Sequence, residues 1–169
     1  MIKLSKIASG AIGVLILVLV VLRVTGLEPG PLAPGLWLKG ELVTTPITDW
    51  TFAKNVRGLT YIETRQWFLP ILPHSVTIGR QVYKGELYLH SVYPAGVRLP
   101  AGRHWNKNIQ HDPRVRIRIG NKLYDRKLIY ISDPVQRNDI LRDWGPRYFD
   151  PGIYLQIWHV VPDAGSLGG

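Results

Sequence analysis

Three arginines alternate with three apolar residues in Arg114-Val115-Arg116-Ile117-Arg118-Ile119. A period of two sets three guanidinium groups on one face of a strand and three apolar side chains on the other. Such a face could bind phosphate, a lipid headgroup or an acidic partner. It could equally be a solvated outer face, with Asp125 across a following hairpin neutralising Arg116. The five histidines, His74, His90, His104, His111 and His159, are scattered. His104 and His111 are seven apart, whereas ligand pairs on a helix favour spacings of three or four, and only Asp112 lies beside them as a carboxylate. No metal centre is expected from this pattern. There is no Gly-x-Ser-x-Gly elbow for a strained nucleophile and no Gly-x-x-x-x-Gly-Lys phosphate loop. With no cysteine, thiolate ligands, iron–sulfur clusters, disulfides and a thiol nucleophile are all excluded.

The whole chain has 169 residues, 21 Lys+Arg against 12 Asp+Glu, and a formal charge of +9. That length holds one ordinary domain plus an appendage. The basic excess does not read as a nucleic-acid surface, because the aromatic residues are not interleaved with the cations as stacking platforms. Six tryptophans, at 37, 50, 67, 105, 144 and 158, are many for a domain of this size. They suit core and barrel closure, with a flat cofactor platform or a partner surface as the functional alternative.

Most of the elements that must position these residues read as strands. Leu59 to Phe68 has the β-branched and aromatic content of a strand. Ser75 to Tyr83 and Glu86 to Tyr93 flank the two-residue turn Lys84-Gly85. Arg114 to Ile119 and Lys122 to Ile131 flank Gly120-Asn121 in the same way. Ile153 to Val161 is continuously apolar, as a central strand would be. One helix is expected over about Gly102 to Gln110, ended by Asp112-Pro113. Another starts at Asp133-Pro134, with Ile140, Leu141 and Trp144 on one side. The pattern predicts a mainly β, α+β domain: a small closed or split barrel with two short helices.

The first 27 residues differ from this domain. Lys3 and Lys6 precede a charge-free run from Ile7 to Leu22, which at 1.5 Å per residue covers only about 24 Å. Extended to Leu27, past a single Arg23 that can snorkel, it reaches about 31 Å and spans a bilayer. A cleaved signal peptide fits less well, because no small-x-small site follows the run. Ser9, Gly10 and Gly13 would allow close packing against a neighbouring helix. The basic residues favour a cytoplasmic N-terminus, with the domain on the outer, periplasmic side of the cell membrane. Residues 28–35, rich in Pro and Gly, read as a spacer, and the domain as 36–169.

Three stretches, KGELYLHSVYPAG, RHWNKNIQHDPRVRIRIGNK and ISDPVQRNDIL, resemble the flavin-binding split-barrel superfamily, and within it the deazaflavin-dependent nitroreductases. The matching positions are Gly85, Trp105, Asn108, Ile109, Asp112, Pro113 and Val115. The resemblance implies a split barrel and, if the activity were kept, a deazaflavin or FMN cofactor for reducing a nitro compound or a membrane quinone. It would place Arg65, His74, Ser75, Trp105 and Asn108 around that cofactor, with Thr64, Arg65 and Ser75 as remnants of the phosphate-binding loop. The chain departs from the family there: the glycines that admit phosphate are missing, and Trp67 and Phe68 stand in their place. With no catalytic constellation visible, the reading is an accessory subunit without a cofactor. It would dock onto integral membrane protein subunits and the lipid bilayer, with the oxidoreductase as the alternative.

Overall fold

The computed structural model describes residues 2–30, 33–66, 68, 69, 71–96 and 103–163, with side chains from Gly10 onward. An N-terminal helix α1, Ile2–Thr25, leads into β1 (Glu41–Leu42), a 3-10 turn Thr51–Lys54, β2 (Thr60–Arg65), β3 (Pro73–Tyr83) and β4 (Glu86–Pro94). Helix α2 (His104–His111), β5 (Arg114–Ile119), β6 (Lys122–Tyr130), α3 (Pro134–Trp144), a second 3-10 turn Pro146–Phe149 and β7 (Ile153–Pro162) complete the chain. Strands run β6-β5-β2-β3-β4-β7, and β7 pairs back onto β6, so six antiparallel strands close a barrel. The short β1 adds to β6 in parallel, at Lys122 and Leu123, ahead of the segment that β7 takes over.

Both expected turns are two-residue hairpins, with Tyr83 opposite Glu86 and Ile119 opposite Lys122. Lys84 and Gly85 both have positive φ, 51° and 79°, which matches the twist of the flanking strands. Asp133 caps α3 by accepting from the Val135 and Gln136 amides at 3.1 and 3.4 Å, with Pro134 in the first turn. Helix α2 stops at His111, since Asp112, held extended before Pro113, cannot continue it. Strand β2 ends at Arg65, three residues short of the sequence reading, and β3 begins two residues early at Pro73.

Alternation fills the barrel. Ile62, Leu87, Leu89, Ile117 and Trp158 point inward, joined by Trp50 and by Trp105 and Ile109 from α2. Outside the barrel, α3 lays Ile140 and Leu141 on Tyr88, Leu155 and Ile157. Trp50, Trp105 and Trp158 are thus core residues and Trp144, the last residue of α3, packs against Tyr88, while Trp67 lies outside the described residues.

Two segments lead into the barrel. Helix α1 is continuous from Ile2 with Arg23 in its last turn, yet among the described residues no helix is long and apolar enough to cross a membrane. The segment expected as a spacer is instead tied to the barrel at Glu28 and at Gly35. Leu36 N donates to Leu27 O at 2.8 Å, Gly35 and Ser75 exchange two backbone bonds at 2.9 and 3.0 Å, and Glu28 pairs with Arg118. A Cβ on Gly35 would lie 2.2 Å from Leu27 O and 2.6 Å from Ser75 Oγ, so only glycine lets the strand pass this closely. Gly35→Val is expected to release this segment. Hydrogen exchange at the Leu36 and Ser75 amides should accelerate, with little change in the barrel strands.

Candidate functional site

The residues that the resemblance gathers around a cofactor lie where β2 ends, β3 begins and α2 crosses them. Thr64 and His74 are directly opposed in the ladder, as are Glu63 and Ser75. Consecutive strand residues face opposite sides, so His74 and Ser75 cannot present their side chains to one ligand from one face. Thr64 and Arg65 are divided in the same way.

Each candidate already has a structural engagement. Asn108, 2% exposed on α2, donates its amide to Thr64 Oγ1 at 3.0 Å, and the Thr64 hydroxyl donates to the His74 carbonyl at 3.0 Å. This short relay ties α2 to the β2–β3 pair. Trp105 is buried with its ring 4.7 Å from that of Trp158, as core packing requires. Ser75 is fully buried beneath Gly35, its hydroxyl without a hydrogen-bond partner among the described residues. His74 lies 6.5 Å from the His104 ring. Burial first, and the neighbouring His104 second, hold its pKa below the usual histidine value. Arg65 is exposed, 3.9 Å from Asp112.

Two surface cavities flank this region and share no lining residue. Arg65 and Thr64 line one of about 530 Å³, together with Arg23, Trp37, Arg114 and Arg116. His74 and Trp105 line another of about 410 Å³, with Arg103 and His104. Ser75 and Asn108 line neither. The five residues thus do not line one cavity: Arg65 lines one, His74 and Trp105 the other, and Ser75 and Asn108 neither.

The arginine row does face outward, and each member has an acidic partner. Arg114 meets Asp112 through two bonds at 2.8 and 2.7 Å, and Arg116 meets Asp125 at 2.7 and 2.9 Å. Arg118 grips Glu28 with both amino groups and lies 4.4 Å from the centre of the Tyr61 ring. The hydrogen bonds from Arg118 hold the Glu28 carboxyl below its ordinary pKa. Glu63, between this row and the docked segment, accepts from the Leu38 amide at 2.6 Å, and burial raises its pKa. The face expected from the alternation is present, but its charge is compensated rather than offered to an acidic surface. Sequence reasoning anticipated the Arg116–Asp125 pair from hairpin register. It missed Glu28–Arg118, because 90 residues separate the partners.

Other functional-looking groups are also structural. Asn106, fully buried, donates to Tyr93 Oη at 3.0 Å and to Gln156 Oε1 at 3.1 Å inside the barrel. Arg80 staples the 50s loop by donating to Ala53 O, Gly58 O, Val56 O and Thr60 Oγ1. Neither has a periodic or motif signal in the sequence. Among the described residues, no three of His, Asp or Glu gather as metal ligands would.

No protein-family model and no curated protein matches the sequence. Among solved structures, the chain is similar to a NimC/NimA family protein from Clostridium acetobutylicum, at 18% identity and a TM-score of 0.42 over 64% of this chain and 76% of that one. It is also similar to a putative pyridoxamine 5'-phosphate oxidase from Listeria innocua, at 15% identity and a TM-score of 0.44 over 66% and 89%. At these scores the likenesses carry no argument about activity. The barrel is read from its own strand order.

Proposed function

We propose that the protein is a non-catalytic accessory subunit of a larger membrane protein complex, held by its N-terminal helix and presenting the split barrel outside the bilayer. The observation that carries this reading is that the chain has used its own candidate site. Thr64, Asn108 and Trp105 are bonded or packed within the barrel, and Ser75 is sealed beneath the docked strand at Gly35. The anchor is argued from the sequence, where Ile7 to Leu27 carries only Arg23 as a charge and is preceded by Lys3 and Lys6. On that reading the N-terminus is cytoplasmic and the barrel lies on the outer, periplasmic side of the cell membrane. The partners are integral membrane subunits that pack against α1, together with the bilayer.

One observation favours a second reading, a membrane-anchored oxidoreductase of the deazaflavin nitroreductase or quinone reductase kind. The cavity at Arg65 carries five arginines, Arg23, Arg65, Arg114, Arg116 and Arg126, against three carboxylates, Glu63, Asp125 and Asp163, and this net positive lining would favour a phosphate-bearing cofactor. The test is native electrophoresis of the tagged full chain, extracted in mild detergent from membranes of its source organism. The accessory reading expects migration with integral membrane proteins in an assembly much larger than the chain in a micelle. Replacing residues 1–27 by an unrelated spanning helix should abolish that migration. A chain that migrates alone in both forms would overturn it.

A further inference from the structure

Strand β3 changes partner halfway along its length. Residues 73–78 pair with β2, and residues 79–83 pair with β4. Tyr83 and Glu86 flank a two-residue turn, which makes them a hydrogen-bonded pair, and alternation makes Gln81–Tyr88 and Gly79–His90 hydrogen-bonded pairs as well. The amides and carbonyls of Arg80 and Val82 therefore point the other way, toward the β2 side. There β2 begins only at Thr60, opposite Ile78, and Gly58, with φ of 97°, turns the preceding chain aside. Among the described residues, no backbone group of the 50s loop bonds to the backbone of Arg80 or Val82. A short edge is left open inside an otherwise paired barrel, and such an edge is a template for another extended chain.

The open edge lines a cavity of about 600 Å³, together with Lys54 and Leu59 from the 50s loop and Asp143, Trp144 and Arg147 from the end of α3 and the turn after it. Its charge narrows the occupant. Three cations, Lys54, Arg80 and Arg147, face one carboxylate, Asp143. None of the three makes an ion pair among the described residues. Arg80 is held by neutral oxygens alone, those of Ala53, Val56, Gly58 and Thr60. Arg147 donates to Tyr148 Oη at 2.8 Å. Two nearby carboxylates, Asp49 and Asp139, lie outside the lining and accept from Thr51 and Arg142. The surplus in the groove is positive, and the whole chain carries +9, so an acidic strand is favoured over a second copy of this chain.

We infer that the Gly79–Val82 edge of β3 is a docking groove for an extended acidic segment of a partner protein. The segment adds a strand beside Arg80 and Val82 and sets its carboxylates against Lys54 and Arg147. Main-chain bonds fix the register, and the cations select the sequence. The inference rests on the accessory-subunit reading for the existence of a protein partner, but the groove itself can be tested without one.

The probe is a short capped peptide of alternating valine and glutamate, compared with its lysine counterpart. The readout is hydrogen exchange at single amides of the full chain in detergent. In the free chain the Arg80 and Val82 amides are expected to exchange faster than the Gln81 amide between them. The glutamate peptide should slow both by about tenfold or more and leave Gln81 unchanged, while the lysine peptide slows neither. Lys54→Glu combined with Arg147→Glu should abolish the effect, with slow exchange at Gln81 showing that the barrel is intact. Arg80 and Val82 amides as slow as Gln81 in the free chain would reveal a covered edge and overturn the inference. So would equal slowing by both peptides, no slowing by the glutamate peptide, or slowing that follows protein concentration alone, the mark of a second copy on the edge. None of these outcomes touches the accessory reading, which stands or falls on the native electrophoresis.

Discussion

Trp158→Ala is expected to cost about 3–5 kcal/mol. Trp158 is 1% exposed and lies on β7, the strand that closes the barrel by pairing with both β4 and β6. Its ring packs against Trp105 at 4.7 Å and Tyr130 at 5.9 Å, so truncation opens a cavity between two sides of the core. Among the described residues the indole nitrogen has no hydrogen-bond partner, so the loss is one of packing. Denaturant unfolding in detergent should show a lower midpoint, with Trp158→Phe recovering much of it. A Trp158→Ala midpoint within experimental error of the parent would show that the barrel is not closed through this residue.

Stability should also fall steeply between about pH 6.5 and pH 4, because of His90. Its ring is 9% exposed, pressed between Trp144 at 5.2 Å and Tyr148 at 5.5 Å. It lies so close over Gly79 that a Cβ there would sit 2.4 Å from Nε2. Burial first, and Arg147 second, push its pKa down from 6.5 to about 4. Above the unfolded value both states are neutral and nothing is lost. Below it the unfolded chain takes up a proton that the folded chain refuses until about pH 4. The full loss is about 3 kcal/mol, at 1.36 kcal/mol per pKa unit. His74, lowered in the same direction, adds to the slope. His90→Gln should flatten the profile in this window relative to the parent, whatever it does to stability at neutral pH. An unchanged slope in the variant would remove His90 as the cause.

Much of the barrel was legible because its signals are local. Lys84-Gly85 and Gly120-Asn121 set hairpin registers by themselves, Asp133-Pro134 starts a helix and Asp112-Pro113 stops one. Alternation along Arg114–Ile119 told the outer face from the core. What could not be read depends on contacts between distant residues. Nothing in GLEPGPLAPG says that Gly35 will pair with Ser75 or that Glu28 will find Arg118, and such a composition ordinarily makes a spacer. The two-residue β1 is defined by its partner β6 rather than by its own sequence. The site residues were misjudged for the same reason. The resemblance supplied Arg65, His74, Ser75, Trp105 and Asn108 as a set, but strand alternation and the docked segment distribute them over separate cavities and the core.

The most direct test of the account is cofactor binding by the purified full chain in detergent. It is titrated with FMN and, separately, with a deazaflavin, and binding is followed by fluorescence and by retention on a desalting column. A barrel whose candidate residues serve its own packing is expected to show no saturable binding of either, and no difference between the parent and Arg65→Ala. Saturable, stoichiometric binding that Arg65→Ala weakens tenfold or more, about 1.4 kcal/mol, would contradict the account and make the protein an oxidoreductase candidate.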